Sequence, residues 1–223
     1  MVTSSQRQDE ERRAAIRQSV LEMGVRAEAM IRMAVRSVID RDLPLGRRVI
    51  ASDEELDRLE RLVDARCLEF LAARPPVASE LRFGTITMKI VTDLERIGDL
   101  AVGIAERGLE LGTGRGLEPD AEIQQMSVLV AEMVRAATDA YGSSDGHDGL
   151  RLRDMDKRID ALDLALQRRL LSLMIAHPDQ APRGLSLVTV VHRLERAADH
   201  AVNIGELVAF AALGHDPRHR ARS

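Results

Sequence analysis

Two pairs of carboxylates stand four residues apart in matching segments of this chain, Glu95/Asp99 and Glu195/Asp199. Residues four apart lie on one face of a helix, so each pair can present two acidic groups side by side. The segments that carry them, 91–106 and 191–206, repeat at an offset of 100 and agree at nine of sixteen positions. Second-helix aspartates recur as well. Asp53 and Asp57 fall on Asp156 and Asp160 at an offset of 103. If neighbouring helices bring these pairs together, four carboxylates converge in each half. Like charges so placed repel, and a cation among them or proton uptake relieves the repulsion. Oxygen-only ligands suit hard or borderline cations. The bland alternative is a solvated acidic surface. Arg96 is three residues before Asp99 and Arg61 four after Asp57, as ordinary surface ion pairs require.

The elements that must position these residues read as six helices, at 11–40, 44–72, 77–111, 120–141, 148–176 and 181–213. Apolar spacing at Val20, Met23, Ala27, Met30, Ala34 and Val38 defines the first. Breaks come at Asp42-Leu43-Pro44, Arg74-Pro75-Pro76, Gly112 to Gly116, Gly142 to Gly146 and His177-Pro178. The offset of 103 also pairs Met23 with Met126, Met30 with Met133, Leu59 with Leu162 and Pro75 with Pro178. Repetition on this scale dictates the architecture. The reading is all-α, with two tandem pseudo-symmetric three-helix bundles at 11–112 and 119–213 and a polar tail at 214–223.

Helical phase places Leu94, Ile97, Ala101 and Ile104 on one side of the third helix. Glu95, Asp99 and Glu106 fall about 150° away on the same wheel. Leu194, Ala197, Ala201 and Ile204 stand against Glu195, Asp199 and Glu206 in the sixth. The acidic residues are therefore expected as exposed stripes facing away from each bundle's core. Asp53/Asp57 and Asp156/Asp160 are expected on the flanks of the apolar faces of helices two and five.

Composition narrows the function classes. Aromatic residues make up 2% of the 223 residues, with no Trp, so stacking platforms for single-stranded nucleic acid are missing. A net charge of −4 gives no general pull toward nucleic acid. The single cysteine, Cys67, excludes an internal disulfide framework and a thiolate-rich metal site. No apolar run approaches the roughly 20 residues of a membrane span, and the N-terminus is polar. A soluble cytoplasmic protein is the expectation. Gly112-Thr113-Gly114-Arg115-Gly116 lacks the Lys-Ser/Thr of a phosphate-binding P-loop and reads as a linker. A ferritin-like carboxylate site needs Glu-x-x-His on inward-facing helices, which the chain does not offer.

Together these segments resemble the PhoU family of bacterial phosphate-specific transport. The resemblance rests on Asp93-Leu94-Glu95-Arg96-Ile97-Gly98-Asp99 and on Leu194-Glu195-Arg196-Ala197-Ala198-Asp199. It also rests on Pro76-Val77-Ala78-Ser79-Glu80-Leu81-Arg82, similar to the family's Pro-Val-Ala-x-Asp-Leu-Arg. Asp53-Glu54-Glu55-Leu56-Asp57 and Asp156-Lys157-Arg158-Ile159-Asp160 resemble the acidic start of the second helix in each half. Two departures stand out: Ala197-Ala198 replaces the usual Ile-Gly or Ile-Ala, and Pro178 to Arg183 replaces the proline-led motif in the second half. The resemblance implies a cytoplasmic, often dimeric, non-catalytic protein with surface metal sites. It implies divalent or trivalent metal ions (Fe, Zn, Mn or Mg) at Glu95, Asp99, Glu195, Asp199, Asp53, Asp57, Asp156 and Asp160. The implied role is negative regulation of the phosphate-starvation response and modulation of phosphate uptake, as a metal-binding adaptor between the phosphate ABC transporter ATPase and a sensor histidine kinase. The alternative is a carboxylate-bridged metalloenzyme or a metal-storage helical bundle. The tail from His215 to His219 reads as a polar terminus rather than a metal site.

Overall fold

A computed structural model describes residues 4–112 and 120–213. Beyond Gly112, the expected linker lies outside the described residues, as does the polar tail at 214–223. Six long α-helices account for nearly all of the described residues: α1 (Ser4–Ile39), α2 (Leu43–Ala72), α3 (Ala78–Leu111), α4 (Asp120–Ser143), α5 (Gly146–Ala176) and α6 (Ala181–Leu213). A single 3-10 turn, Pro178–Gln180, leads into α6. No strand occurs among the described residues, so the all-α reading holds.

The helix starts follow local chemistry. Asp42 caps α2, accepting from the Leu45 amide at 2.8 Å, and Asp145 caps α5, accepting from His147 at 2.8 Å. Each cap satisfies an amide that the first helical turn leaves without a partner. Asp42 and Asp145 match at the repeat offset of 103, and so do the residues before them, Arg41 and Ser144, both left-handed at φ 57° and 59°. The Asp145 cap explains why α5 begins at Gly146 rather than 148. Val77 is extended (φ −77°, ψ 162°) and precedes α3 instead of starting it. Its amide donates to Glu80 Oε2 at 3.1 Å, a side-chain cap that fixes the proline-led corner. Gly142 does not end α4, which runs two residues beyond the expected 141.

Helices α1, α2 and α3 pack on one another, and α4, α5 and α6 do the same. The two sets are joined along α1 with α4 and α3 with α6. One continuous core results, built from Met23, Met30, Ile90, Leu94, Ile97, Ile104, Ile123 and Met126, all fully buried, together with their smaller neighbours. Aliphatic side chains, with methionines among them, dominate it, as the near-absence of aromatics requires. Across the α3–α6 seam, His200 Nδ1 lies 2.8 Å from Asp93 Oδ1. Gly103 provides room there for the Arg193 guanidinium. The joining helices leave α2 and α5 on the flanks, each with one side in the core and one open to solvent. No described helix is long and apolar enough to cross a membrane.

Candidate metal centre

The first candidate site forms along the seam between α2 and α3. From α2, Leu56, Leu59 and Val63 enter the core at 0–1% exposure. Asp53, Asp57, Glu60 and Asp64 advance by four, three and four residues, so they form one row beside that apolar face. From α3, Leu94, Ile97 and Ala101 are buried, while Glu95 meets Asp57 and Glu60 of the α2 row and the charge of Asp99 reaches Asp53. Gly98 makes the close approach workable: a Cβ there would run into the Leu56 side chain and come within 3.7 Å of Asp53 Oδ1. One oxygen each from Asp57, Glu60 and Glu95 lies within 4.8 Å of the others, near enough to share one cation.

The expected exposed stripe is corrected here. The Glu95 side chain is only 17% exposed and Glu195 only 24%, whereas Asp99 is 46% exposed. The wheel treated each bundle's core as the only burying surface. The flanking row on α2, and its α5 counterpart, covers the first carboxylate of each pair. That cover has an electrostatic consequence. Burial, then the charge of Asp99, pushes the Glu95 carboxyl up from 4.5 to about 7. Burial, then Asp57 and Asp99, raises Asp53, and burial, then Asp64 and Asp57, raises Glu60. Arginine relief is partial. Arg96 Nη1 lies 2.9 Å from Asp99 Oδ2, and Arg96 Nε 3.5 Å from Glu95 Oε2. Arg61 is 3.8 Å from Asp57.

The seam between α5 and α6 repeats the arrangement. Here the backbones themselves touch: a Cβ on Gly149 would strike the Gly205 carbonyl, and one on Gly205 the Gly149 carbonyl. Burial, then Asp160 and Asp199, pushes Asp156 up to about 6. Asp199 is raised by burial and by Asp160, and Glu195 by burial and by Asp199, with Asp163 and Asp160 adding smaller pushes. Asp163 Oδ2 accepts from Gln167 Nε2 at 2.7 Å. Its Oδ1, and Glu195 Oε2, are buried carboxylate oxygens without a hydrogen bond among the described residues. His192 Nδ1 stands 3.4 Å from Glu195 Oε2. Glu206, on the same wheel face, is instead held by Arg153 at 2.7 Å and belongs to a separate ion pair.

The donor set fits a hard or borderline cation. It offers several carboxylate oxygens from two helices, two of them orphaned in burial, and one imidazole at the margin. All eight residues singled out from sequence lie along the two seams. Asp57 and Glu95 meet directly with Glu60, Asp53 and Asp99 feel each other's charge, and Asp156, Asp160 and Asp199 form the matching group. Sequence reasoning missed Glu60 and Asp163. They match at the offset of 103, but one is Glu and the other Asp, so a comparison of identities passes over them.

The PhoU domain family model matches residues 20–108 and again 123–208, the two halves of the fold. A phosphate-specific transport system accessory protein PhoU homolog from Pseudomonas putida is 37% identical over 205 residues, which is 92% of this chain and 80% of that protein. Its counterpart from Pseudomonas aeruginosa is 35% identical, covering 92% and 85%. The crystal structure of PhoU from Pseudomonas aeruginosa superposes with a TM-score of 0.88 at 33% identity, covering 92% of this chain and 99% of that one. The phosphate transport system regulatory protein PhoU from Streptococcus pneumoniae gives 0.85 at 26% identity, covering 93% and 98%.

Proposed function

The chain belongs to the PhoU family, and from that premise we propose that it is a metal-binding regulatory adaptor of phosphate import. The relatives' names support the coarse part, an accessory and regulatory role in phosphate transport. One observation carries the finer part. Each half gathers a row of carboxylates from two helices, with their pKa values driven upward by burial and mutual repulsion. Such a cluster is costly without a counter-charge. Asp57, Glu60, Glu95 and Asp99, with Asp53 beside them, are the residues that would hold a cation in the first half. Asp160, Asp163, Glu195 and Asp199, with Asp156, would do so in the second. A bound cation supplies counter-charge and a shared anchor for oxygens on two helices.

The chain's own residues do the rest. Because the donors sit on separate helices, loading fixes the α2–α3 and α5–α6 crossings and changes the charge of two surface seams. A docking face with loading-dependent charge suits an adaptor between the transporter ATPase and a sensor histidine kinase in the cytoplasm, where it represses the starvation response. Self-association as a homodimer is supported by exposed leucines at matching places in the two halves, Leu68 (60%) and Leu171 (55%). The metalloenzyme or storage reading calls for carboxylates inside the bundle, and the shared core is apolar.

The regulatory reading is tested in the host. Deletion of the gene is expected to raise phosphatase expression in phosphate-rich medium. The wild-type gene is expected to restore repression, and an Asp57→Asn/Asp160→Asn gene to restore it poorly. Phosphatase expression that stays repressed in the deletion strain contradicts the proposal.

A further inference from the structure

A cavity of about 160 Å³ opens where the start of α3 meets α1 and the ends of α4 and α6, away from both carboxylate seams. Two arginines line it, Arg17 from α1 and Arg82 from α3. Their basic neighbours are already neutralised, since Arg74 takes Asp9 at 2.8 Å and Glu80 at 2.6 Å, and Arg13 lies 3.7 Å from Glu80. Arg17 and Arg82 make no ion pair among the described residues. Arg17 Nη2 donates to Ser144 Oγ at 2.9 Å, across 127 residues of sequence, which pins the guanidinium. Its Nε is buried without an acceptor. The guanidinium carbons lie 5.8 Å from the Phe83 ring for Arg17 and 6.0 Å from the Phe210 ring for Arg82. Aromatic contact of this kind steadies the planar group and leaves its N–H edge free for a ligand.

Hydroxyls complete the lining. Ser79 sits three residues before Arg82, on the same face of the first turns of α3. Thr87 and Tyr141 share one hydrogen bond of 2.9 Å in the cavity wall. That bond uses one of their two hydroxyl hydrogens and leaves the other to donate. Ile86 and Val208 form apolar wall that strengthens charge interactions inside. Two unpaired guanidinium groups with several hydroxyl donors outnumber what a carboxylate's two oxygens can accept. They match the three or four oxygens of a tetrahedral dianion.

We propose that this cavity binds a phosphate-type oxyanion through Arg17 and Arg82, either free phosphate or a phosphate monoester. It gives a role to Ser79 and Arg82 of the proline-led motif, which the carboxylate seams leave unused. The repeat holds no second copy of these residues: it puts Asp120 at the place of Arg17, and Asp179 and Pro182 at those of Ser79 and Arg82. Nothing in it depends on the carboxylate reading.

Tyr141 is the only tyrosine and the chain has no tryptophan, so its fluorescence reports on this cavity alone. The test titrates the purified full-length protein with inorganic phosphate, phenyl phosphate, acetate and chloride at matched ionic strength, and measures metal content in the same samples. A saturable change with phosphate or phenyl phosphate is expected, and the stronger of the two identifies the source. Arg82→Gln is expected to weaken it about tenfold, the loss of a charge-assisted hydrogen bond, with metal content and far-UV circular dichroism unchanged. Arg17→Gln should act likewise, and Ser79→Ala, which leaves both arginines in place, more weakly. A response that is equal for all four anions, confined to acetate, absent for both phosphates, or unchanged in Arg82→Gln overturns the proposal.

Discussion

Glu95→Gln should stabilise the metal-free protein at alkaline pH, although it removes the charge that faces Arg96. The ionised carboxylate is mostly covered, faces Asp99 and Glu60, and titrates near 7 rather than 4.5. A raised carboxyl pKa means the folded state binds the proton more tightly than the unfolded chain does. The penalty is absent below about 4.5, grows between 4.5 and 7, and is complete above 7. At full strength such a shift corresponds to about 3 kcal/mol. Solvent at the open side of the seam screens it, which leaves about 1–2 kcal/mol. Urea unfolding of chelator-treated protein is the assay. With a slope of about 2–3 kcal/mol/M for a chain of this size, the midpoint of Glu95→Gln should lie roughly 0.5 M above wild type at pH 8. The two should coincide at pH 4.5. Saturating Mn²⁺ should reverse the order at pH 8, because the wild type has the better site. A variant equal to or less stable than wild type at pH 8 without metal refutes the claim that the seam holds repelling carboxylates.

Other consequences follow from the packing. Gly149→Ala should destabilise the protein by about 1–3 kcal/mol in thermal unfolding, although alanine is the better helix former, because its Cβ meets the Gly205 carbonyl rather than a movable side chain. Thr87→Val should cost about 1–3 kcal/mol by leaving the buried Tyr141 hydroxyl without its partner, and the Thr87→Val/Tyr141→Phe double variant should recover part of that loss. Cys67 is fully buried and its thiol is pushed up to about 12, mainly by burial. It should ignore a thiol reagent at pH 8 in the native protein and react stoichiometrically in denaturant.

Helices and the duplication were legible because both are written in local periodicity. Met23 and Met126, or Asp53 and Asp156, keep phase over a hundred residues, and proline or glycine marks most ends. Two of the boundaries that moved did so through side-chain caps. Asp145 starts α5 two residues early, and the Glu80 carboxylate holds Val77 out of α3. The carboxylates were found but misplaced. A single helical wheel knows its own core, yet not the row that a neighbouring helix lays beside it, so Glu95 and Glu195 looked open to solvent. Glu60 and Asp163 conserve charge without identity and were passed over. The arginine cavity was invisible in sequence, since Arg17, Arg82, Tyr141 and Val208 come from four helices brought together only by the α1–α4 and α3–α6 packing.

Metal analysis bears most directly on the central claim. Protein purified without chelator should carry at least one metal equivalent per seam. Asp57→Asn/Glu95→Gln should empty the first, and Asp160→Asn/Glu195→Gln the second, each halving the total. The four-fold variant should be metal-free with its helical circular dichroism intact. Equal metal content in the wild type and the four-fold variant would contradict the account.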